Sequence, residues 1–361
     1  MTQGALCAGA MLLGALLAAA TPATHPTALA ASGPLEGGDA VALPPLLSQT
    51  GLYEPGRVDL VATGVRPFAP QYPLWTDGMT KRRWIALPAG TTIDTTDEYG
   101  WVFPVGTRLW KEFGLHGRPV ETRVFWRISS SQWLAGTYVW NAEGTDATLA
   151  PAEGIPAYVE VAPGRRHSIP SRDDCAACHG PADRSRVLGF NALQLSTDRD
   201  PAALHSEPAR PGLITLETLE AERLLAPSRP ERISAPPRVS TSQPATRAML
   251  GYLAANCGIC HDGRGDIAGF NASLAYRDVV EDGDAVVRSL VGQPTRWQVP
   301  GVPDGHSVLV QPGDASRSAI YVRMRSRSPS SQMAPLGSVV RDAEAVDAMQ
   351  RWIDVTLAPA H

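Results

Sequence analysis

Almost all the cysteine in this chain lies in two copies of one short pattern, a Cys-x-x-Cys pair followed at once by a histidine. The first motif is Cys175-Ala176-Ala177-Cys178-His179 and the second motif is Cys257-Gly258-Ile259-Cys260-His261. On a helical turn, residues three and four apart share one face. The two thiols and the imidazole of each motif can therefore meet one planar group. This spacing is the signature of covalent haem c attachment, so the chain is expected to carry two covalently bound haem c groups.

Two other uses of a Cys-x-x-Cys pair explain the motifs less well. Paired zinc knuckles usually lie about 15–20 residues apart, whereas Cys178 and Cys257 are much further apart. A thioredoxin-like redox pair usually sits in a βαβ context, and no such pattern surrounds either motif. Neither use accounts for the histidine that follows both pairs.

The histidines of the two motifs, His179 and His261, are the expected proximal iron ligands, because the thioether links hold each imidazole beside the ring. For the second haem, Met333 in the loop before the last predicted helix is the expected distal ligand, with Met324 as its competitor. A Met thioether opposite histidine raises the reduction potential relative to two histidines.

The distal ligand of the first haem is left open by the sequence. His167 lies shortly before Cys175 and is one candidate, and an open, five-coordinate iron is another. No methionine occurs between His179 and Met249. The other candidates for this ligand are Met79, His116, His205 and Met249.

The N-terminal segment predicts export from the cytoplasm. An apolar run, Ala5–Ala20, is followed by Ala28-Leu29-Ala30, an Ala-x-Ala cleavage pattern. The run is shorter than the roughly 20 residues of a membrane span, although a retained signal anchor is the alternative, and residues 2–10 lack the usual Lys or Arg. Residues 1–30 are therefore predicted to be a signal peptide, removed together with Cys7. The mature protein is expected to be periplasmic, without a stable membrane span or a disulfide.

Composition excludes one class of partner. The 361 residues carry a formal net charge of −4, and nothing in the chain forms the basic footprint of a nucleic-acid-binding protein. Lys81 and Lys111 are the only lysines among 32 basic residues. From the sequence alone this scarcity indicates no function.

Residues 51–165, after a flexible leader at 31–50, are predicted to be a β-rich domain. Short runs of aromatic and β-branched residues alternate with Pro- and Gly-containing turns, as in an antiparallel sandwich or a small barrel. The clearest strand candidates are Trp84–Leu87, Arg123–Ile128 and Trp133–Trp140. The many tryptophans of this region are expected to serve packing.

The first haem region is predicted to span residues 166–235. Ser171 and Asp174 form a capping box directly after Pro170, so a short helix should begin there and carry the first motif. A second short helix is expected near 216–225. The Pro-rich stretch that follows resembles a linker.

Residues 236–361 show the plan of a class I cytochrome c domain with the second haem. Pro244 suits the first turn of a helix that leads to the second motif, and residues 342–357 carry one apolar stripe. In that plan the two helices cross and pack, with Met333 in the loop before the last one. The predicted fold class is therefore multidomain: an N-terminal antiparallel β sandwich or barrel-like domain, followed by mainly α cytochrome c-type haem domains.

Beyond the motifs, most of residues 50–357 resembles a family of bacterial periplasmic dihaem c-type cytochromes. The pieces that carry the resemblance are Tyr72-Pro73-Leu74-Trp75-Thr76-Asp77-Gly78 with Lys81 and Trp84, Phe103-Pro104-Val105-Gly106-Thr107, Glu121-Thr122-Arg123, Tyr138-Val139-Trp140-Asn141, Ile169-Pro170-Ser171-Arg172, Pro312-Gly313-Asp314, Ser318, Arg323 and the Met333 loop. The resemblance implies haem binding and electron transfer, and it names no substrate.

The leading expectation is a protein that passes electrons between periplasmic redox partners by Fe(III)/Fe(II) cycling. A haem enzyme is the alternative, peroxidase-like or acting on another small molecule at an open first haem. A third possibility is a binding module in which the β-rich domain captures a ligand and the haems relay electrons.

Overall fold

The computed structural model describes Met1 and residues 41–183, 186–264, 270 and 272–359. Apart from Met1, the predicted signal peptide lies outside these residues, as does the first part of the predicted leader. The described residues from 41 onward belong to one compact unit. The described end of the leader is part of this unit, because Leu47 begins a short 3₁₀ helix and is fully buried.

The described residues contain twelve strands. They are β1 (Tyr53–Glu54), β2 (Arg57–Val61), β3 (Arg66–Pro67), β4 (Thr80–Ala86), β5 (Ile93–Asp94), β6 (Arg108–Leu115), β7 (Arg118–Ser129), β8 (Gln132–Trp140), β9 (Ala147–Leu149), β10 (Ile155–Ala162), β11 (Arg165–Ile169) and β12 (Leu225–Ala226). Six of them form an antiparallel sheet in the order β3-β4-β6-β7-β8-β9. β1–β2 and β10–β11 are antiparallel pairs, and β5–β12 is a parallel pair. Strands β4, β7 and β8 confirm the three strand candidates.

Alternation along the strands gives the six-stranded sheet two different faces. On one face, Trp84 and Trp110 are directly paired across β4 and β6, and both are buried. They pack with Tyr138 and Trp140 of β8 and with Leu47 in an apolar cluster. The tryptophans of this region therefore serve packing, as the sequence predicts.

The opposite face is apolar at one end and charged at the other. Ile85, Leu109 and Trp133 belong to a second apolar cluster, which Phe190 joins from the chain beyond the first motif. Further along the same face, the register places charged side chains of β4, β6 and β7 next to one another. The described helix of the first motif lies on the side of the sheet that carries these charges.

The helices range from four to 15 residues and mostly lie in the second half of the chain. They are α1 (Arg172–His179), α2 (Leu216–Ala221), α3 (Glu231–Ser234), α4 (Pro244–Asn256), α5 (Tyr276–Leu290), α6 (Ala319–Arg325) and α7 (Ala343–Arg351). A π turn, Trp352–Thr356, extends α7. The helix starts predicted at Ser171 and Pro244 are confirmed, since Ser171 caps α1 and Pro244 occupies the first turn of α4.

Helix α4 lies at the centre of the largest apolar cluster. Leu250 and Leu253 are fully buried there with Met349 and Trp352 from the end of the chain. Tyr72, from the N-terminal half, packs so closely on this helix that a Cβ at Gly251 would lie 2.1 Å from its ring. The core around α4 is therefore shared by distant parts of the chain.

The predicted fold class is wrong. The described residues form a largely β structure built on the six-stranded sheet, and mainly α cytochrome c-type haem domains are not seen in them. Helix α4 and the helical end of the chain do pack together, since the Trp352 indole donates a hydrogen bond to Thr246 at 3.0 Å. Their apolar faces are completed by Tyr72 and Leu193, so the helical stripes do not enclose a core of their own.

Candidate functional site

Helix α1 holds the first motif by a reciprocal cap. The Asp174 amide donates to the Ser171 hydroxyl at 3.0 Å, and the Ser171 amide donates to the Asp174 carboxylate at 2.9 Å. None of the eight residues of α1 is fully buried, and Cys175, Cys178 and His179 are half-buried. Its start is therefore set by the cap and by the preceding β10–β11 hairpin rather than by an apolar face.

His179, the last residue of α1, is arranged as a neutral imidazole with one nitrogen committed. Its Nδ1 lies 2.9 Å from the carbonyl oxygen of Arg186, and the Arg186 amide donates back to the His179 carbonyl at 2.8 Å. Since a carbonyl only accepts, Nδ1 carries the proton and Nε2 keeps its lone pair. Burial lowers the pKa of His179 to about 4. A histidine oriented in this way is a ready metal ligand through Nε2.

The second motif follows α4 without a break. The amides of Cys257 and His261 continue the helical bonding, donating to Leu253 at 2.8 Å and to Cys257 at 2.9 Å. Gly258 is required for space, because a Cβ there would lie 2.3 Å from the Leu274 carbonyl oxygen. The close passage of the chain at Leu274 thus fixes the turn that carries Cys260 and His261.

His261 resembles His179 in its ring contact but differs from it at Nδ1. The ring of His261 packs on Phe270 with centroids 4.1 Å apart, as that of His179 packs on Phe125 at 4.8 Å. Nδ1 of His261, however, is buried without a hydrogen-bond partner in the described part of the chain. Burial lowers the pKa of His261, and the nearby Arg323 guanidinium lowers it further. This imidazole is therefore also neutral at physiological pH.

Arg186 joins the two motifs. Besides holding His179 through its backbone, it extends its guanidinium to the Ile259 carbonyl inside the second motif and to Asp262, 3.4 Å away. Burial raises the pKa of the Cys178 thiol, and the Cys260 thiol adds to the rise because the two motifs are neighbours. All four described cysteines are free thiols. Each motif thus offers two free thiols and a neutral imidazole, the set of groups that covalent haem c attachment uses.

Met333 lies in the segment after α6. Its amide donates to the Arg323 carbonyl at 3.1 Å, and Arg323 is the residue whose charge acts on His261. Met324 is buried in the core around α4. The structure therefore links Met333 to Arg323, the residue whose charge lowers the pKa of His261, and gives Met324 a packing role.

His167, the candidate distal ligand of the first haem, is 3 % exposed and lies between two carboxylates. Its Nδ1 is 2.9 Å from Asp77, and its Nε2 is 3.5 Å from Glu121 and has no hydrogen-bond partner within the described residues. Burial lowers the pKa of His167, but Asp77 and Glu121 outweigh this effect and leave it raised. The charge of Glu121 also raises the pKa of the Cys175 thiol. Since Glu121 adjoins His167, His167 lies on the side of the sheet that faces the first motif.

The other candidates for that ligand have different positions. His205 uses both ring nitrogens, with Nε2 2.8 Å from Asp342 and Nδ1 3.4 Å from Glu344. His116 is exposed in the turn between β6 and β7. Met249 is buried in the core around α4, and Met79 is buried beside β4. The structure thus gives His205, His116 and Met249 no place at the first motif.

A row of cations on the sheet is the part of the site that the sequence did not indicate. Arg83 on β4 pairs directly with Lys111 on β6, which pairs directly with Arg123 on β7. Lys111 and Arg123 both lie over the ring of Phe113, at 4.8 and 4.4 Å. The positive charges of Lys111 and Arg123 contribute to the lowered pKa of His179. The only available sequence signal was the placement of both lysines, Lys81 and Lys111, in this region.

Comparisons of the chain with protein-family models, with curated proteins and with solved structures found no match. Among the described residues, no helix combines the length and apolar character that crossing a membrane requires. Within the same residues, no three His, Cys, Asp or Glu side chains converge as ligands for a single metal ion.

Proposed function

We propose that this protein is a dihaem c-type cytochrome that transfers electrons between periplasmic redox partners. The observation that carries the proposal is the contact of the two motifs through Arg186, whose backbone orients His179 and whose side chain meets Ile259 and Asp262. Two redox groups attached to neighbouring motifs can exchange electrons with each other. The resemblance to periplasmic dihaem cytochromes, seen in residues 50–357, supports the same function.

Four thiols and two imidazoles would hold the haems: Cys175 and Cys178 with His179, and Cys257 and Cys260 with His261. The haem supplies one-electron exchange at its iron, with a potential set by the axial ligands and by burial. The chain's contribution is to keep both imidazoles neutral, which burial does, and to orient His179 through the Arg186 carbonyl.

Met333 is proposed as the distal ligand of the second haem, because its loop is tied to Arg323 beside His261. His167 is the proposed distal ligand of the first haem. Its Nε2 would have to lose the proton that Asp77 and Glu121 favour, and Asp77 would then orient the ring through Nδ1. The second haem would then have a His/Met pair and the higher potential. Electrons would enter at the first haem and leave from the second.

The export and partners of the protein are part of the same proposal. Covalent haem attachment in bacteria takes place outside the cytoplasm, so the predicted signal peptide and a periplasmic location belong together with the motifs. The net charge of −4 favours protein redox partners over nucleic acid.

A haem enzyme is the second candidate, and one observation favours it. The row Arg83, Lys111 and Arg123 places cations beside the first motif, where a small anionic substrate would be held near the iron. In that case the first haem would keep an open position and His167 would remain an ion-paired histidine.

Spectroelectrochemical titration of the mature protein tests the leading proposal. We expect two one-electron transitions, from two haems that are both low-spin. We also expect no steady-state turnover of hydrogen peroxide above that of a simple cytochrome control. A high-spin first haem with peroxide turnover would favour the enzyme. A protein without haem absorbance would end both proposals.

A further inference from the structure

Three cations stand side by side across neighbouring strands, an arrangement that sheets ordinarily avoid. The register pairs Arg83 with Lys111 and Lys111 with Arg123. Directly opposed residues have Cβ atoms about 4.5–5.5 Å apart, and like charges at such positions are destabilising. Lys111, in the middle, faces a like charge on both sides.

Carboxylates neutralise only the two ends of this row. Arg83 forms an ion pair with Glu207 at 2.5 Å, and Arg123 forms one with Glu121 at 2.6 Å. Among the described residues, Lys111 has no carboxylate within ion-pair distance, and its ammonium lies over the Phe113 ring at 4.8 Å. An aromatic face attracts a cation but does not neutralise it.

Glu121 is the carboxylate whose charge acts on Lys111, but it forms no ion pair with it. Its Oε1 accepts hydrogen bonds from Arg123 and lies 3.5 Å from the ring of His167, and its Oε2 is buried without a hydrogen-bond partner among the described residues. Lys81, on the same face, donates to the Met79 carbonyl at 3.0 Å. Cations therefore outnumber carboxylates on this part of the sheet, and partial burial makes the imbalance costly.

Lysine is also the exceptional choice in this chain. Every basic position other than 81 and 111 is arginine, and both lysines lie on this face. An ammonium between two planar guanidinium groups offers N–H donors of the kind that bind the oxygens of a carboxylate or another oxyanion.

We propose that the row Arg83, Lys111 and Arg123 binds an oxyanion group, with Lys111 at its centre, on the sheet face that meets the first motif. The group is either a propionate of the first haem or a free small oxyanion, since both offer the same oxygens. The position beside a haem rests on the proposed function, whereas oxyanion binding by the row does not.

Two substitutions at one position separate charge from shape. Lys111→Met removes the ammonium and relieves the repulsion within the row, so the variant is expected to fold. Lys111→Arg keeps the charge. Arg57→Gln removes a positive charge from β2, where the side chain is exposed and paired with Asp59, and serves as the matched control.

Calorimetric titration with inorganic phosphate, at constant ionic strength in chloride, tests the free-anion source. Saturable binding to the wild type that weakens at least tenfold in Lys111→Met, and stays within about twofold in Lys111→Arg and Arg57→Gln, supports a free oxyanion. If a propionate of the first haem occupies the row, phosphate does not bind to the wild type. In that case Lys111→Met lowers the potential of one haem, because a nearby positive charge favours the reduced iron. Lys111→Arg leaves that potential unchanged.

The proposal is overturned if phosphate does not bind and no haem potential shifts. The haem content of the same samples, measured by mass, separates this failure from that of the proposed function. If the protein holds two haems and both measurements are negative, the row alone is misassigned. If it holds no haem, the phosphate titration of the wild type still decides: saturable binding supports the row, and its absence overturns it.

Discussion

The two Cys-x-x-Cys-His motifs are chemically alike but are held by different physical means. The first lies on α1, a helix without a fully buried residue, which is held by its cap, by Arg186 and by the contact of His179 with Phe125 of the sheet. The second follows α4, in which ten residues are buried. The first motif therefore depends more on hydrogen bonds, and the second more on the apolar packing of the helix before it.

The contrast extends to the proximal histidines. His179 has its Nδ1 bonded to the Arg186 carbonyl, whereas Nδ1 of His261 has no hydrogen-bond partner in the described part of the chain. A bonded Nδ1 raises the basicity of the ligand nitrogen. Two haems with the same attachment would therefore be tuned by unlike surroundings, which is what a directional transfer between them requires.

The largest effect on stability is expected from the core that supports the second motif. Leu253→Ala removes a fully buried side chain of α4, and such truncations cost about 2–5 kcal/mol. Arg172→Ala on exposed α1 should change the free energy of unfolding by less than about 0.5 kcal/mol. Denaturant unfolding of both variants measures the two changes. Equal losses of unfolding free energy would contradict the expected difference.

Next in size is the effect of Met333→Ala on one haem. Loss of the thioether should lower the potential of the second haem and abolish its Met-to-iron charge-transfer band, while the first haem is unchanged. Met324→Leu, a volume-conserving change in the core around α4, is the control and should move neither potential. A shift with Met324→Leu and none with Met333→Ala would reverse the assignment.

A smaller effect is expected at the helix caps. Ser171→Ala removes both hydrogen bonds of the Ser171 hydroxyl with Asp174 and should cost about 1 kcal/mol. Gln243, at the same position before α4, makes no side-chain cap bond, so Gln243→Ala should be nearly neutral. Comparable losses in the two variants would show that α1 does not depend on its cap in the way proposed.

The smallest effect concerns His205, which links the middle of the chain to the start of α7. The hydrogen bond to Asp342 raises the pKa of His205 above its ordinary value of about 6.5. The stabilisation is therefore fully present below that ordinary value and is lost as pH rises through the folded-state value. The stability difference between wild type and His205→Gln should be larger at pH 5.5 than at pH 8.5, and a difference that grows with pH would contradict the assignment.

Local features of the chain were predictable because their causes are local. The capping box at Ser171, the first-turn Pro244 and the strands at β4, β7 and β8 all follow from short patterns. The position of α1 on the charged side of the sheet could not be predicted, because it depends on the pairing of distant strands.

The error in fold class has the same origin. The apolar stripe near the end of the chain and the helix before the second motif are real, but stripes do not show what covers them. Tyr72 packs on Gly251, and Leu193 joins the same cluster, so a core expected to be closed by helices is completed from the N-terminal half. Likewise, the contacts by which Arg186 joins the motifs could not be predicted from the spacing of residues along the sequence.

The intact mass of the mature protein, denatured and extracted with acid–acetone after expression with the haem-attachment machinery, tests the central claim most directly. We expect two added haems in the wild type. Each double variant, Cys175→Ala with Cys178→Ala or Cys257→Ala with Cys260→Ala, should retain one. A wild-type mass equal to that of the bare polypeptide would contradict the claim that these two neighbouring motifs are haem sites.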